Sequence, residues 1–94
     1  MYVTWDPAKA RSNLIKHGVD FADAAVALED ENALTVRDDD HYEYRFKTLA
    51  RSPESSILFI VHAEQDEETI RIVSARHADR SEERQYLEGD THGD

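Results

Sequence analysis

The chain has 94 residues, a net charge of −10 and no cysteine. This length supports one hydrophobic core, and the lack of cysteine excludes disulfides, thiol catalysis and cysteine-based zinc sites. The longest apolar run, 57–61, is far shorter than the roughly 20 residues that cross a bilayer, and the first residues show no basic-then-apolar signal pattern. We therefore expect a cytoplasmic protein without membrane contact.

The charge is distributed unevenly along the sequence. Residues 45–51 and 70–76 contain five cations and no acid, whereas the acids concentrate in 20–40, 64–68 and 79–94. The excess of carboxylates argues against a general nucleic-acid surface, because phosphate contacts come from clustered Lys and Arg. A local basic site on an otherwise repelling molecule is compatible with this pattern.

Two helices are predicted near the N-terminus, after a short strand at 2–5. Asp6 followed by Pro7 is a typical helix start, because Asp caps free amides and Pro suits the first helical position. Gly18 marks the end of this helix. Asp20 then caps a second helix, in which apolar residues recur at helical spacing.

In the second half of the chain the apolar period changes to two, which predicts strands. The predicted elements are strands at 33–36, 42–50, 56–63 and 69–75, and a helix from Asp79 or Ser81 to Gly89. The third of these strands is apolar on both faces, which is typical of a central strand. The order β-α-α-β-β-β-β-α predicts an α+β fold: a small antiparallel β-sheet packed with two N-terminal helices and one C-terminal helix. Residues 1–89 would form a single domain and 90–94 a loose tail.

Three sequence blocks resemble the BrnT toxin family. They are WDPAKARSNLIKHGVDFADAA at 5–25, EYRFKTLA at 43–50 and IRIVSARHADRSEERQYLEG at 70–89. The resemblance implies a type II toxin with a RelE-like fold that arrests growth by cutting RNA. It also implies a BrnA antitoxin with a ribbon-helix-helix DNA-binding part. Toxin and antitoxin together would repress their own operon, and the toxin would contact DNA only through its partner.

One position departs from this family pattern. Ala50 stands where family members usually have Gly, after the leucine of the second block. A strand position that accepts only Gly marks a bulge or a close backbone approach. Ala50 is therefore either neutral or a change to the site.

Arg45, Arg71 and Arg76 are the candidate phosphate-binding residues. Metal-independent RNA cleavage, which needs no cofactor, requires a base for the 2′-OH, cations for the doubly charged phosphorane and an acid for the leaving 5′-oxygen. Arginine suits the phosphorane because its planar fork binds two oxygens. Arg71 and Arg76 have opposite strand parity, so they share a cleft only if the strand bends, for example near 74–75. Alternatively, the arginines form salt bridges, such as Arg71 with Glu43 or with an acid of the last helix.

His62, His77 and Glu43 are the candidates for proton transfer. His62 lies inside an apolar strand, where it is either a rigidly held base or acid, or a hydrogen-bonded core residue. His77 adjoins Arg76 at the junction of strand and helix, where it could protonate the leaving group. Glu43 shares strand parity with Arg45, so it is either a base or a cross-strand partner.

Lys16, His17 and Lys47 are the candidate RNA contacts. Lys47 shares its strand face with Arg45, and the K-H-G at 16–18 belongs to the family resemblance. The alternative for Lys16 and His17 is local, because cations stabilise a helix C-terminus that Gly caps. The acidic RDDDH segment at 37–41 lacks the alternating ligands and the Gly of a calcium loop, so no metal site is predicted.

Two classes of function are consistent with these residues. The first is an endoribonuclease toxin that acts through its arginines. The second is a non-catalytic module that binds a DNA-binding antitoxin and contributes to repression. The net charge of −10 and Ala50 favour the second class slightly.

Overall fold

The structure, a computed structural model, describes residues 1–39 and 44–89. Its elements follow the predicted order and are β1 (Tyr2–Thr4), α1 (Pro7–His17), α2 (Phe21–Ala27), β2 (Leu34–Asp38), β3 (Arg45–Arg51), β4 (Ile57–Glu64), β5 (Thr69–His77) and α3 (Arg80–Glu88). None of the helices in this described part is long and apolar enough to cross a membrane. Glu43, Asp40 and His41, together with the predicted tail 90–94, lie outside the described residues.

Side-chain caps fix the helix ends. Asp6 and Asp20 each accept a hydrogen bond of 2.9 Å from the amide two residues further on, at the starts of α1 and α2. α3 starts with a capping box, in which Asp79 and Glu82 each accept a hydrogen bond from the other's amide. α1 ends at Gly18, whose φ of 71° is a left-handed conformation that glycine adopts without strain.

Within the described residues, the strands form one five-stranded sheet in the order β1-β5-β4-β3-β2. β2 to β5 pair antiparallel, as predicted, and the apolar β4 is the central strand. β1 joins the edge of the sheet parallel to β5, so the sheet is mixed. Parallel neighbours need a long crossover connection, and the two N-terminal helices and β2 to β4 lie between them in the chain. The predicted α+β class is confirmed.

The larger core lies on the side of the sheet that α1 and α2 cover, which we call the helix face. Phe21, Leu58, Ile60 and Ile72 are fully buried there. Trp5 packs edge-on against Phe21, with 6.1 Å between the ring centroids. Burial of each of these aliphatic or aromatic side chains contributes roughly 1.5–3 kcal/mol, so this core holds the helices on the sheet.

Ala50 also belongs to the helix-face core. It is completely buried and lies opposite Leu58 of β4. Its methyl group therefore packs among core side chains on the face opposite Arg45 and Lys47, and the departure from the family's usual Gly is accommodated by packing.

α3 covers one end of the other face of the sheet. Tyr86 is its buried anchor and packs with Leu49 and Ile57. The Tyr86 hydroxyl donates a 2.5 Å hydrogen bond to Asp30, whose same carboxylate oxygen accepts from the Arg51 amide at 2.9 Å. Burial would raise the pKa of Asp30, but the hydrogen bonds that it accepts lower that pKa overall. One buried aromatic ring and this half-buried carboxylate therefore attach a helix that has few apolar residues.

Candidate functional site

A β-bulge in β5 turns Arg71 and Arg76 to the same side of the sheet. Ser74 and Ile72 oppose consecutive residues of β4, so Val73 is an extra residue in the ladder. An extra residue shifts the alternation of side chains by one position. The sequence predicted that a bend between the two arginines would be needed, and this bulge supplies it.

Five cations lie on the face of the sheet opposite α1 and α2, which we call the arginine face. Arg51 is exposed at the end of β3, over the Tyr86 ring. The other four are Arg45, Lys47, Arg71 and Arg76. Arg45 and Arg71 both lie opposite Ala63 of the central strand, so their backbones are two strand spacings, roughly 10 Å, apart. The four cations other than Arg51 are half-buried. The register therefore collects cationic side chains from β3 and β5 on one surface of an acidic protein.

Short side chains lie between these cations. Ala63 is opposite Arg45 and Arg71, and Val61 is opposite Lys47 and Ser74. The short side chains of β4 therefore form a shallow depression, with the longer cationic side chains of β3 and β5 on either side of it.

Arg76 is held at the border between the arginine face and α3. Its guanidinium lies 4.2 Å from the centre of the Phe59 ring, a cation–π contact. Nη1 and Nη2 donate hydrogen bonds to the two carboxylate oxygens of Glu82, at 2.8 and 2.9 Å. These hydrogen bonds raise the pKa of Arg76 and lower that of Glu82. A salt bridge was the alternative that the sequence left open for each arginine, and Arg76 forms one with an acid of the last helix.

Asp38 brings a carboxylate to the opposite end of the arginine face. It is buried, and the register places it directly opposite Arg45. One of its oxygens lies 4.0 Å from the Lys47 ammonium. The face therefore mixes cations with carboxylates, with cations in the majority among its described residues.

A groove of about 190 Å³ lies between α3 and strands β2 to β4 on the arginine face. Its walls are mostly apolar, from Leu34, Val36 and Phe59, and its polar rim includes Lys47 and Glu82. An aromatic and aliphatic groove beside cations is a surface on which an unpaired base can stack.

His62 lies on the helix face and not with the arginines. It is 5% exposed, its Nε2 atom is 2.7 Å from the Thr48 hydroxyl, and its ring stacks on Phe46. Burial lowers the pKa of His62 to about 4, so it is neutral at pH 7. Within the described residues its Nδ1 atom has no hydrogen-bond partner. The structure places His62 in the core.

His77 also faces away from the four cations. It lies opposite Leu58, a helix-face residue, and lines a small polar pocket of about 90 Å³ with Asp23 and Glu54. The backbone carbonyl of His77, and not its ring, contacts Arg76, at 3.1 Å from Nη1. Neither histidine therefore shares a surface with the arginines.

Lys16 and His17 lie at the end of α1, beside the part of β5 that α1 borders in place of β1. Together with Lys9 they line a pocket of about 190 Å³ that extends to Val73 and Ser74. Ser74 belongs to the arginine face, because it lies opposite Val61. The pocket consequently reaches the arginine face at one residue, Ser74.

Glu82 was not identified by sequence reasoning as a site residue. A signal for it was present, because Asp79 and Glu82 have the three-residue spacing of a capping box. That spacing places Glu82 in the first turn of α3, close to the end of β5 where Arg76 stands. No three His, Asp or Glu side chains of residues 1–39 and 44–89 are grouped so that they could hold a metal ion.

The structure thus defines a small α+β protein in which one face of the sheet carries a group of cations. The sequence matches, over residues 5–82, the family described as ribonuclease toxin, BrnT, of type II toxin-antitoxin system. The match spans most of the chain, and the chain belongs to this family. Membership implies an antitoxin partner.

A solved structure shares the fold. The crystal structure of the Brucella abortus ribonuclease toxin BrnT is similar with a TM-score of 0.65 and 23% sequence identity. The likeness covers 85% of this chain and 99% of that one. No curated protein sequence matches significantly.

Proposed function

We propose that this chain is a metal-independent endoribonuclease that binds and cleaves RNA on its arginine face. The observation that carries the proposal is the register that brings Arg45, Lys47, Arg71 and Arg76 to one surface of a protein whose net charge is −10. Membership of a ribonuclease toxin family supports RNA as the ligand. The RNA would be encountered in the cytoplasm.

The arginines would act by stabilising charge. In metal-independent cleavage the 2′-oxygen forms a bond to the adjacent phosphorus while the bond to the 5′-oxygen breaks. One proton leaves the 2′-hydroxyl and another reaches the 5′-oxygen, which gives a 2′,3′-cyclic phosphate and a 5′-hydroxyl end. Preorganised cations around the phosphorane are commonly the largest contribution to such catalysis. Arg45, Arg71 and Arg76 fill this role in our proposal.

We assign no proton-transfer role to His62 or His77, because both lie on the other face of the sheet. Glu43 keeps its predicted role as the candidate base on the grounds of its strand parity with Arg45.

Lys47, Lys16 and His17 would extend RNA binding on either side of the arginines. Lys47 borders the apolar groove next to α3, where a base can stack. Lys16 and His17 line the pocket that meets the arginine face at Ser74. A single strand of RNA could thus pass from this groove over the arginines to the edge of β5.

The partner in this proposal is a BrnA-type antitoxin with a ribbon-helix-helix DNA-binding part. Family membership supports an antitoxin, and the acidic surface of the chain suits a partner with a basic segment. Co-expression of such a partner should restore growth of cells that produce this chain.

A cleavage assay tests the proposal. Purified wild-type chain should cut single-stranded RNA in the presence of EDTA and leave 2′,3′-cyclic phosphate ends. Arg71→Ala should lower kcat by about 100-fold, the usual effect of removing one transition-state donor. Arg11→Ala, which removes an exposed cation of α1, is the matched control and should cleave normally. Intact RNA after incubation with folded wild-type chain would overturn the proposal.

A second candidate function is a non-catalytic module that forms a repressor complex with a DNA-binding antitoxin. The observation that favours it is the pair of hydrogen bonds from the Arg76 guanidinium to the Glu82 carboxylate, which engages one of the proposed phosphate-binding arginines. It predicts that the complex binds its operator while the folded chain leaves RNA intact.

A further inference from the structure

We propose that Glu82 is a positioning residue of the nuclease site, which holds the Arg76 guanidinium against Phe59 so that one edge is ready to bind a phosphate of RNA. This inference rests on the proposed RNA cleavage. It concerns a contact that fixes an arginine in advance of substrate, so Glu82 would act on the phosphate through Arg76.

The hydrogen bonds of Arg76 show which edge is left for substrate. A guanidinium has five N–H groups. The two on Nη1 donate to Glu82 and to the His77 carbonyl, and one on Nη2 donates to Glu82. No described residue accepts from Nε–H or from the second Nη2–H. These two lie side by side and parallel, which is the fork that binds two oxygens of one phosphate.

Glu82 can hold this orientation because it is itself fixed. Its carboxylate accepts from the Asp79 amide at 2.9 Å, and its own amide donates to the Asp79 carboxylate at 2.8 Å. Four residues further along, Tyr86 anchors α3 through its hydrogen bond to Asp30. The guanidinium is thereby clamped between an immobile carboxylate and the Phe59 ring, 4.2 Å away. A flexible side chain has lost its freedom before RNA arrives.

The charge of Glu82 should weaken RNA binding, even though its hydrogen bonds to Arg76 should favour the cleavage step. A carboxylate next to the phosphate site repels RNA, which raises KM, while its hydrogen bonds fix the geometry that raises kcat. A positioning role therefore predicts that removing the charge improves KM and damages kcat. A carboxylate that merely blocks Arg76 would, when removed, improve both constants.

The experiment compares three variants of the full chain in cleavage of a short single-stranded RNA. Glu82→Gln keeps the side-chain length and loses the charge; kcat should fall about tenfold and KM about threefold. Glu82→Asp keeps the charge but is one methylene too short to reach both nitrogens, so kcat should fall without improvement of KM. Glu83→Gln, which makes the same charge change on an exposed neighbour in the same helical turn, should leave kcat unchanged. Thermal melting of each variant verifies that it is folded.

The outcomes separate this inference from the proposed function. If the wild-type chain cleaves RNA and Glu82→Gln has unchanged or increased kcat, the positioning role is overturned and cleavage stands. If Glu82→Gln and Glu83→Gln lose kcat equally, the effect is one of general charge, and the positioning role is again overturned. A folded wild-type chain without cleavage overturns both.

Discussion

The side-chain amide of Asn13 forms hydrogen bonds with both backbone groups of Ala75. Its Nδ2 atom donates to the Ala75 carbonyl at 2.7 Å, and its Oδ1 atom accepts from the Ala75 amide at 3.1 Å. β1 pairs only with the first part of β5, up to Arg71, so this side chain of α1 occupies the place that a neighbouring strand would take further along. Asn13 also donates to the Val19 carbonyl. A polar residue thus attaches α1 to the sheet.

Asn13→Ala should lower the free energy of unfolding by about 3 kcal/mol, because it leaves the buried amide and carbonyl of Ala75 without partners. Urea denaturation at pH 7 measures the loss. Ser12→Ala, at an exposed position of the same helical turn, is the control and should cost less than about 0.5 kcal/mol. A loss below about 1 kcal/mol for Asn13→Ala would show that these hydrogen bonds contribute little.

His62 should make stability fall as the pH is lowered from 6.5 towards 4. Its pKa is about 4 in the folded chain and 6.5 without burial, so the unfolded state binds the proton more readily across this window. Stability therefore rises with pH there, and about 2 kcal/mol should be lost between pH 7 and pH 5. Urea denaturation at the two pH values measures it.

His62→Gln should remove most of this pH dependence, whereas His77→Gln, a change at an exposed histidine, should retain it. His62→Gln should also leave RNA cleavage intact, since residue 62 lies on the helix face. If the folded His62→Gln variant fails to cut RNA, the assignment of His62 to the core alone is incorrect.

Tyr86→Phe should destabilise the chain by about 2 kcal/mol, because it removes a hydrogen bond from a buried tyrosine to a charged carboxylate. Burial and the hydrogen bond to Asp30 raise the pKa of Tyr86, so the hydroxyl remains a donor at neutral pH. Tyr44→Phe, at an exposed tyrosine, is the matched control. Equal melting temperatures of the two variants would show that α3 is held by packing alone.

Local signals explain why the order of elements was predictable. Asp6, Pro7 and Gly18 determine where α1 begins and ends through contacts within one or two turns, and the structure has α1 at 7–17. Alternation likewise predicted that Arg45 and Lys47 share a face, which the pairing of β3 with β4 confirms. Helix caps and side-chain alternation depend on residues that are close in the chain, so both can be recognised in a single sequence.

The contacts that define the site depend on pairing between distant segments. β4 is apolar on both faces, and Ile72 and Val73 of β5 are successive apolar residues, so the sequence does not specify that Val73 is the extra residue of the ladder. For the same reason, parity could not decide which face His62 occupies. The partner of Arg76 depends on the angle at which α3 leaves β5, which no periodic pattern encodes. Sequence reasoning therefore found the arginines but not the carboxylate that holds one of them.

Lys16→Gln should weaken RNA binding and make it less dependent on salt, if RNA continues from the arginine face into the pocket at the edge of β5. Each lost phosphate contact on a single strand reduces the slope of log K against log salt by about 0.7. Fluorescence anisotropy with a 2′-O-methylated RNA, which cannot be cleaved, measures this slope between low and moderate salt.

Arg11→Gln is the matched control, because it removes the same charge from an exposed residue of α1 that does not line the pocket. If only the net charge mattered, the slope of log K against log salt would change equally in both variants, because salt screens all separated surface charges. A contact at the pocket changes the slope for Lys16→Gln and leaves that for Arg11→Gln near the wild-type value. Equal slopes for the two variants would confine the RNA to the arginine face and leave Lys16 with its local role at the C-terminus of α1.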